Sequence, residues 1–240
     1  MSCSVCLFGD SVAKGVIFDS IRQKYRVLKD CFAASIQAKE HLAVTNYSKF
    51  GCTIDKGREI LERHAEELPS YDFVVFEFGG NDCDFDWHDV AEHPDQPHEA
   101  KTPLETFERS YREAVRFARA NGGNPVLLTL PPIDAQRYFK WISRGEDTGA
   151  ILKWLGDVDR IYRWHEMYNL AVCRVAMREH ALLLDISSSF LERNGYQDLL
   201  CEEGIHPNEK GHDVIFESLR QAAHSAAQLG GHKTPRLALA

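Results

Sequence analysis

Short apolar segments alternate along this chain with longer segments of helical periodicity, and this alternation constrains the fold more than any other feature. A parallel strand that is buried on both faces reads as a short apolar run, whereas the helix that follows it has an amphipathic period. The pattern predicts an α/β fold with three layers, in which helices cover both faces of a mostly parallel sheet of five or six strands. The candidate strands are Val5–Phe8, Arg26–Leu28, Leu42–Asn46, Phe73–Phe78, Pro125–Leu130 and Leu182–Ile186.

The strongest helix signal begins at Thr102. We expect this threonine to cap the helix, with Pro103 in the first turn and Glu105 three residues after the cap. Apolar residues then recur at steps of three and four, as on the buried face of a helix. Further helices are predicted over Val12–Arg22, Thr53–Leu68, Asp159–His180 and Asn208–Leu229.

Length and composition fit one globular domain. The 240 residues suffice for one substantial core, and 44% hydrophobic with 27% charged residues is ordinary for a globular chain. We expect a single domain over residues 1–232, followed by a frayed tail over residues 233–240.

Charge and cysteine usage argue against several classes of partner. The net charge of -8 disfavours broad electrostatic binding to nucleic acid or anionic membranes. No segment approaches the ~18 consecutive apolar residues of a membrane span, and Met1 leads into Val5–Phe8 without a basic region, which predicts a cytoplasmic protein.

The seven cysteines form no regular disulfide framework, so we expect free thiols. Cys3 and Cys6 form a C-x-x-C pair, but no second pair follows to complete a zinc site.

Two distant segments carry residues suited to nucleophilic catalysis. The run Gly9–Ser11 ends the first strand before a predicted helix, where free N–H groups and the helix dipole stabilise an anion. The run Glu203–Asn208 places a carboxylate three residues before a histidine that a proline follows, and such a carboxylate can orient a general base. Each has a structural alternative, since Ser11 could be a helix cap and His206 a packed residue in a loop.

Two further strand ends offer hydrogen-bond donors. Acyl transfer needs donors that point at the oxyanion of the tetrahedral intermediate, and the Asn81 amide and the Gly51 N–H could supply two of them. Either residue alone could belong to a turn. Asp10 and Asp82 also stand at strand ends, and we expect both to hold loop backbone by hydrogen bonds.

Taken together and in this order, these four segments resemble the sequence blocks of the SGNH/GDSL hydrolase family, over residues 5–212. The resemblance implies that Ser11 is the nucleophile and His206 the base. It further implies an oxyanion hole made by the Ser11 and Gly51 backbone N–H groups with the Asn81 side chain. It also implies a flavodoxin-like three-layer domain that cleaves a small-molecule ester through an acyl-enzyme, with neither metal nor organic cofactor.

One position departs from the family pattern. Where the family usually has aspartate three residues before the histidine, this chain has Glu203, whose side chain is one methylene longer. Glutamate takes this role in other serine hydrolases, so we assign Glu203 as the third member of the triad. The alternatives are a backbone carbonyl that orients His206, or a different acid such as Glu202.

Two other function classes compete with this interpretation. Asp10, Asp82, Asp84, Asp86 and His88 could be drawn into a metal-dependent phosphohydrolase, because hard cations favour oxygen ligands. That hypothesis leaves the asparagine and the downstream histidine unexplained. A binding module that keeps the fold with an impaired triad is the second alternative.

Substrate preference is least constrained. Residues 83–101 and 132–157 follow strand ends, where ligands bind in open parallel sheets, and we interpret them as loops or short helices that shape a pocket. A small acyl group on a carbohydrate-like alcohol is favoured, with lysophospholipids and thioesters as alternatives. The aromatic residues between positions 138 and 164 could stack a sugar ring or line an acyl slot; they are Trp141, Trp154, Tyr162 and Trp164. The helical spacing of Ile161, Trp164 and Tyr168 favours instead a place in the core.

Overall fold

The computed structural model describes residues 3–40 and 42–229, so the tail predicted at residues 233–240 lies outside the described part. In chain order the strands are β1 (Ser4–Gly9), β2 (Val16–Asp19), β3 (Lys24–Val27), β4 (Ala43–Asn46), β5 (Phe73–Glu77), β6 (Pro125–Leu128) and β7 (Leu182–Leu184). The helices are α1 (Ser11–Lys14), α2 (Phe32–Lys39), α3 (Ile54–Arg63), α4 (Trp87–Glu92), α5 (Leu104–Ala120), α6 (Ala135–Ile142), α7 (Thr148–Leu155), α8 (Asp159–Arg178), α9 (Ser188–Leu191) and α10 (Glu209–Leu229). Short 3₁₀ turns cover Ala65–Ser70 and Tyr196–Leu199.

Five of the six predicted strands form one parallel sheet in the order β4-β1-β5-β6-β7. The chain starts near the middle of this sheet, adds β4 on one side and then builds outward on the other. The carboxyl ends of β1, β4 and β5 therefore lie side by side, and the residues that follow them share one edge of the sheet. The predicted fold class is confirmed.

Alternate residues of the strands point to opposite faces, and helices cover both. Leu7 packs in a cluster with α2 and α10, whereas Phe8 belongs to the larger cluster on the other face with α3, α5 and α8. The long amphipathic helix α5 buries Phe107 and Tyr111 against this second face. Burying such aromatic side chains contributes roughly 2–3 kcal/mol each, so this helical layer anchors the sheet.

The structure of the segment after Ser11 differs from two of the predictions. The helix predicted over Val12–Arg22 ends at Lys14, because Gly15 takes a left-handed conformation with φ +79°. A Cβ at this position would also lie 2.4 Å from the Cβ of Cys31. The chain then forms an antiparallel hairpin of β2 and β3, so the strand predicted over Arg26–Leu28 belongs to a separate two-stranded sheet.

Two other helix predictions are right in place and wrong in detail. The N-cap of α5 is Pro103 and has no side-chain capping bond; the N–H of Thr102, one residue earlier, donates instead to the carbonyl of Asp82 at 3.0 Å. The helix predicted over Thr53–Leu68 ends at Arg63 and is followed by a 3₁₀ turn that contains Pro69. Because Pro69 has no N–H to donate to the carbonyl of Ala65, a regular α-helix cannot continue through this turn.

The two stretches that interrupt the alternation contain the short helices α4, α6 and α7. All seven cysteines are free thiols, including Cys3 and Cys6. Within residues 3–40 and 42–229, no helix combines the length and the apolar character needed to cross a bilayer.

Candidate active site

Ser11 is held at the junction of β1 and α1 by its two preceding residues. Gly9 is required there because a Cβ would lie 2.5 Å from that of Ala13 and 2.7 Å from the carbonyl of Glu77. Asp10, not Ser11, is the N-cap of α1, since its carboxylate accepts the N–H of Val12 at 2.9 Å. The Ser11 hydroxyl is therefore free of capping and can face another group.

That group is His206, which a tight loop before α10 presents to the serine. The N–H of Cys201 donates to the carbonyl of His206 at 2.8 Å, and Gly204 turns the loop with φ +83°. A Cβ on Gly204 would lie 2.7 Å from the carbonyl of Asp134, so the loop packs directly on the start of α6. Asn208 closes the loop by accepting the N–H of Gly211 at 3.1 Å in the first turn of α10.

The structure brings Ser11, His206 and Glu203 into one hydrogen-bonded series. The Nε2 atom of His206 lies 2.9 Å from the Ser11 hydroxyl, and its Nδ1 atom lies 2.5 Å from Oε1 of Glu203. Glu203 is fully buried, and its second carboxylate oxygen has no partner among the described residues. Glu202 is exposed and pairs instead with Arg144 at 3.0 Å.

Gly51 and Asn81 line the same cavity as Ser11 and His206. Gly51 follows β4 and has φ +68°, a conformation that favours glycine, although a Cβ there would meet open space. Glycine is therefore favoured here for its backbone conformation and not for its small size, since this φ sets the direction of the backbone beside Ser11. Asn81 follows β5 through Gly79 and Gly80, and the adjacent strand ends bring it to the same edge of the sheet.

A buried carboxyl pair lies beneath the nucleophile junction. Asp10 and Glu77 are each 1% exposed, and Glu77 accepts the N–H of Ala13 at 3.1 Å. Burial raises the pKa of both groups; the charge of Asp10 raises the pKa of Glu77 further, whereas backbone hydrogen bonding and the nearby His206 favour the charged form of Asp10. The neutral form is therefore favoured more strongly at Glu77 than at Asp10, whose carboxyl group caps α1.

Asp82 has a structural contact, as expected from the sequence. Its carboxylate accepts the N–H of Ile54 at 3.0 Å and so ties the end of β5 to the start of α3. Burial raises the pKa of Asp82 to about 7, against the lowering effect of hydrogen bonds from Thr102 and Ile54. The prediction that Asp10 and Asp82 hold loop backbone agrees with these bonds.

Beside Ser11 lies a cavity of about 820 Å³ with largely aromatic walls. The cavity is lined by Tyr25, Phe50, Phe85, Trp87, Tyr138, Trp141, Trp154 and Trp164. Trp164 donates its indole N–H to the carbonyl of Cys83 at 3.1 Å. On the same helix, Tyr168 is buried in the core, and Ile161 is buried but also lines the cavity. The aromatic stretch therefore serves both the core and the cavity, and Tyr162 is not among the residues that line it.

The acidic residues considered for a metal site point to different partners. Asp84 accepts hydrogen bonds from Trp87 and Tyr138 and pairs with Lys101 at 2.7 Å. Asp86 caps α4, and His88 pairs with Glu146 at 3.1 Å. Among residues 3–40 and 42–229, no three metal-ligating side chains gather in a group that could hold an ion.

Sequence reasoning missed Glu77, Tyr25 and Phe50. Glu77 is an acidic residue inside an otherwise apolar buried strand, and this contrast is a signal that could have marked it. Tyr25 lies on the hairpin strand β3 and Phe50 in the loop after β4, and both rings lie within 6.4 Å of the His206 ring. No local sequence pattern predicts that Tyr25 and Phe50 lie close to His206, because the three residues come from distant segments.

The parallel sheet, with Ser11 after β1 and His206 before α10, shares its fold with solved structures described as members of the GDSL family and as an SGNH hydrolase. A model of the GDSL-like Lipase/Acylhydrolase family matches residues 7–214. The chain is a member of the GDSL-like lipase/acylhydrolase family, as its sequence blocks predict.

Solved structures share the fold at low sequence identity. A lipase/acylhydrolase from Enterococcus faecalis is 18% identical with a TM-score of 0.65, over 97% of this chain and 100% of that one. LAE5, an alpha/beta hydrolase enzyme from the metagenome of Lake Arreo in Spain, is 20% identical with a TM-score of 0.64, over 92% and 96%. The psychrotrophic esterase EstA from Pseudoalteromonas sp., solved with monoethylphosphonate as inhibitor, is 15% identical with a TM-score of 0.59, over 92% and 97%. A sequence search of curated proteins gave no match.

Proposed function

We propose that this protein is a serine esterase or acylhydrolase that cleaves a carboxylic ester through an acyl-enzyme. The observation that supports the proposal most directly is the series from Glu203 through His206 to the Ser11 hydroxyl, with distances of 2.5 and 2.9 Å. A serine is a weak nucleophile unless a base takes its proton, and this series supplies the base and its orienting acid.

In the first half-reaction, His206 takes the proton of Ser11 as the hydroxyl oxygen attacks the acyl carbon. The tetrahedral intermediate then collapses, the bond to the alcohol oxygen breaks, and His206 returns the proton to the departing alcohol. In the second half-reaction, His206 activates a water molecule that attacks the acyl-enzyme, and the acid product leaves as Ser11 regains its proton.

Charge development at the carbonyl oxygen needs donors in place before the reaction begins. We assign this role to the backbone N–H groups of Ser11 and Gly51 and the side chain of Asn81, which line one cavity. Removing one donor of such an oxyanion hole typically costs about 10²–10³ in kcat.

Covalent labelling with a fluorophosphonate probe tests the assignment. We expect the probe to label Ser11 in the folded wild type and to leave Ser11→Ala unlabelled, with ester turnover lowered at least ~10⁴-fold in the variant. Circular dichroism would show whether the variant keeps its fold. Labelling at another residue, or turnover by Ser11→Ala close to the wild-type rate, would contradict the proposal.

A panel of p-nitrophenyl esters of increasing acyl length, measured beside a thioester and a lysophospholipid, would define the acyl group. The three substrate types share the chemistry above and differ in the part that occupies the cavity. The length at which kcat/KM begins to fall gives the longest acyl group that the cavity accepts.

A further inference from the structure

Two aromatic rings flank the histidine of the candidate site without any part in proton transfer. Tyr25 stands edge-on to His206 with ring centroids 5.3 Å apart, and Phe50 lies nearly parallel to it at 6.4 Å and 15°. The two rings contact each other at 5.2 Å. All three residues line the cavity.

The two rings differ in how they are held. Tyr25 faces Phe18 across the β2–β3 hairpin at 5.3 Å and contacts Trp141 of α6 at 6.4 Å, so its position is fixed from both sides. Phe50 is 54% exposed and precedes Gly51, one of the proposed oxyanion donors. An exposed phenyl ring gains nothing from the core, and a ring placed at the cavity mouth has an apolar face available to a ligand.

The chemistry of the proposed reaction determines which part of a substrate meets these rings. His206 returns its proton to the alcohol oxygen when the intermediate collapses, so this oxygen must come within hydrogen-bonding distance of Nε2. The atoms of the alcohol next to this oxygen then lie beside His206, where Tyr25 and Phe50 stand. The acyl chain is attached to the reacting carbonyl carbon and not to this oxygen. Return of the proton therefore requires no contact between the acyl chain and His206.

We propose that Tyr25 and Phe50 form the binding site for the alcohol portion of the substrate, and that this alcohol is a sugar ring. The inference rests on the proposed esterase function and adds its substrate class. A pyranose has a flat face of C–H groups that stacks on an aromatic ring and a hydroxylated edge that needs polar partners.

Tyr25, which lines the cavity, also carries a hydroxyl group. Burial, with the nearby charge of Glu203, raises the pKa of Tyr25 to about 12, so the hydroxyl keeps its proton at neutral pH and can donate it. An alkyl alcohol could pack on the apolar face of Phe50 but would leave this donor unused. The combination of one flat apolar face and one donor favours a sugar over a linear alcohol.

Three acetyl esters with different alcohols test the inference: a monoacetylated methyl glucopyranoside, phenyl acetate and ethyl acetate. All three yield the same acetyl-enzyme, so deacylation is common to them and differences in kcat/KM arise before the alcohol leaves. We expect Tyr25→Ala and Phe50→Ala to lower kcat/KM for the sugar ester about tenfold and for ethyl acetate less than about twofold. Tyr25→Phe, which keeps the ring, should lose about threefold on the sugar ester alone.

Leu170→Ala is the matched control, because Leu170 is also 54% exposed and lies outside the cavity. Its kinetics should equal those of the wild type on all three esters. Equal losses on sugar and ethyl esters in the Tyr25 and Phe50 variants would overturn the inference. A preference for phenyl acetate without one for the sugar ester would overturn the sugar assignment. Absence of turnover on every ester by the wild type would instead contradict the esterase proposal itself.

Discussion

The floor and the walls of the cavity are built in different ways. The floor consists of Gly9–Ser11, Gly51, Asn81 and the loop Glu203–His206, and it is held by backbone geometry and short hydrogen bonds at strand ends. The walls are the aromatic residues that line the cavity, and they are held by ring packing between distant segments. Because the floor depends on single atoms and the buried part of the walls on shared contact area, changes in the floor should affect the rate, whereas changes in buried wall residues such as Phe85 should mainly affect the stability.

The sharpest test of the floor is Glu203→Gln, which keeps the size of the side chain and removes its charge. We expect kcat to fall about 10³-fold, because a neutral amide can no longer stabilise the imidazolium or fix its tautomer. Steady-state kinetics at pH 7 measures the effect. Glu202→Gln is the matched control, since Glu202 is exposed and pairs with Arg144. If the two variants lost activity equally, the orienting role of Glu203 would be wrong.

The walls are tested by Phe85→Ala. Phe85 is 8% exposed and packs against Trp87, Trp154 and Trp164 at centroid distances of 5.0 to 5.8 Å. Removing a buried phenyl ring leaves a void, so the free energy of unfolding should fall by about 3 kcal/mol. Urea denaturation measures this loss, and kcat on phenyl acetate should change less than about fivefold. A large loss of kcat without loss of stability would contradict the division between floor and walls.

A third test concerns the pH dependence of stability at Asp82, a buried carboxyl that supports the floor. Its pKa is about 7 in the folded protein and 3.8 in an exposed aspartate, so between these values the folded state holds a proton that the unfolded state has lost. The stability that this proton provides is present below about pH 4 and falls by up to about 1.4 kcal/mol per pH unit until pH 7.

Asp82→Asn cannot titrate and should lack this component of the pH dependence. Asp10 and Glu77 change in the same direction in both proteins, so the difference between the two curves isolates Asp82. Urea denaturation at intervals from pH 4 to pH 8 gives both curves. Parallel curves would show that Asp82 is ionised throughout this range in the folded protein.

The sequence predicted what depends on local pattern. The apolar strands, the amphipathic helix α5 and the order of Ser11, Gly51, Asn81 and His206 can be recognised within a few residues of each position. Parallel strands bring such residues together without further information, because their carboxyl ends share one edge. The structure places these residues around one cavity for this reason.

What could not be predicted depends on contacts between distant segments. Gly15 ends α1 in a left-handed conformation and lies against Cys31, a contact that no short window contains. The hairpin follows from this early end, and it alone brings Tyr25 to His206. The raised pKa of Glu77 also could not be predicted from the sequence, because it results from the burial of Glu77 and from the charge of Asp10 beside it.

The contacts of the loop that contains Gly204 constrain how substrates enter the cavity. The N–H of Asp134 donates to the carbonyl of Gly204 at 2.8 Å, and Arg137 donates to the carbonyl of Gln197 at 2.7 Å, so α6 and the histidine loop form one rigid piece. An outward swing of α6 would pull His206 away from Ser11, and the site would lose its base whenever it opened. The wall that α6 contributes to the cavity should therefore stay in place while substrate and product exchange. On this side of the cavity, selectivity then depends on a fixed shape and not on closure around the substrate.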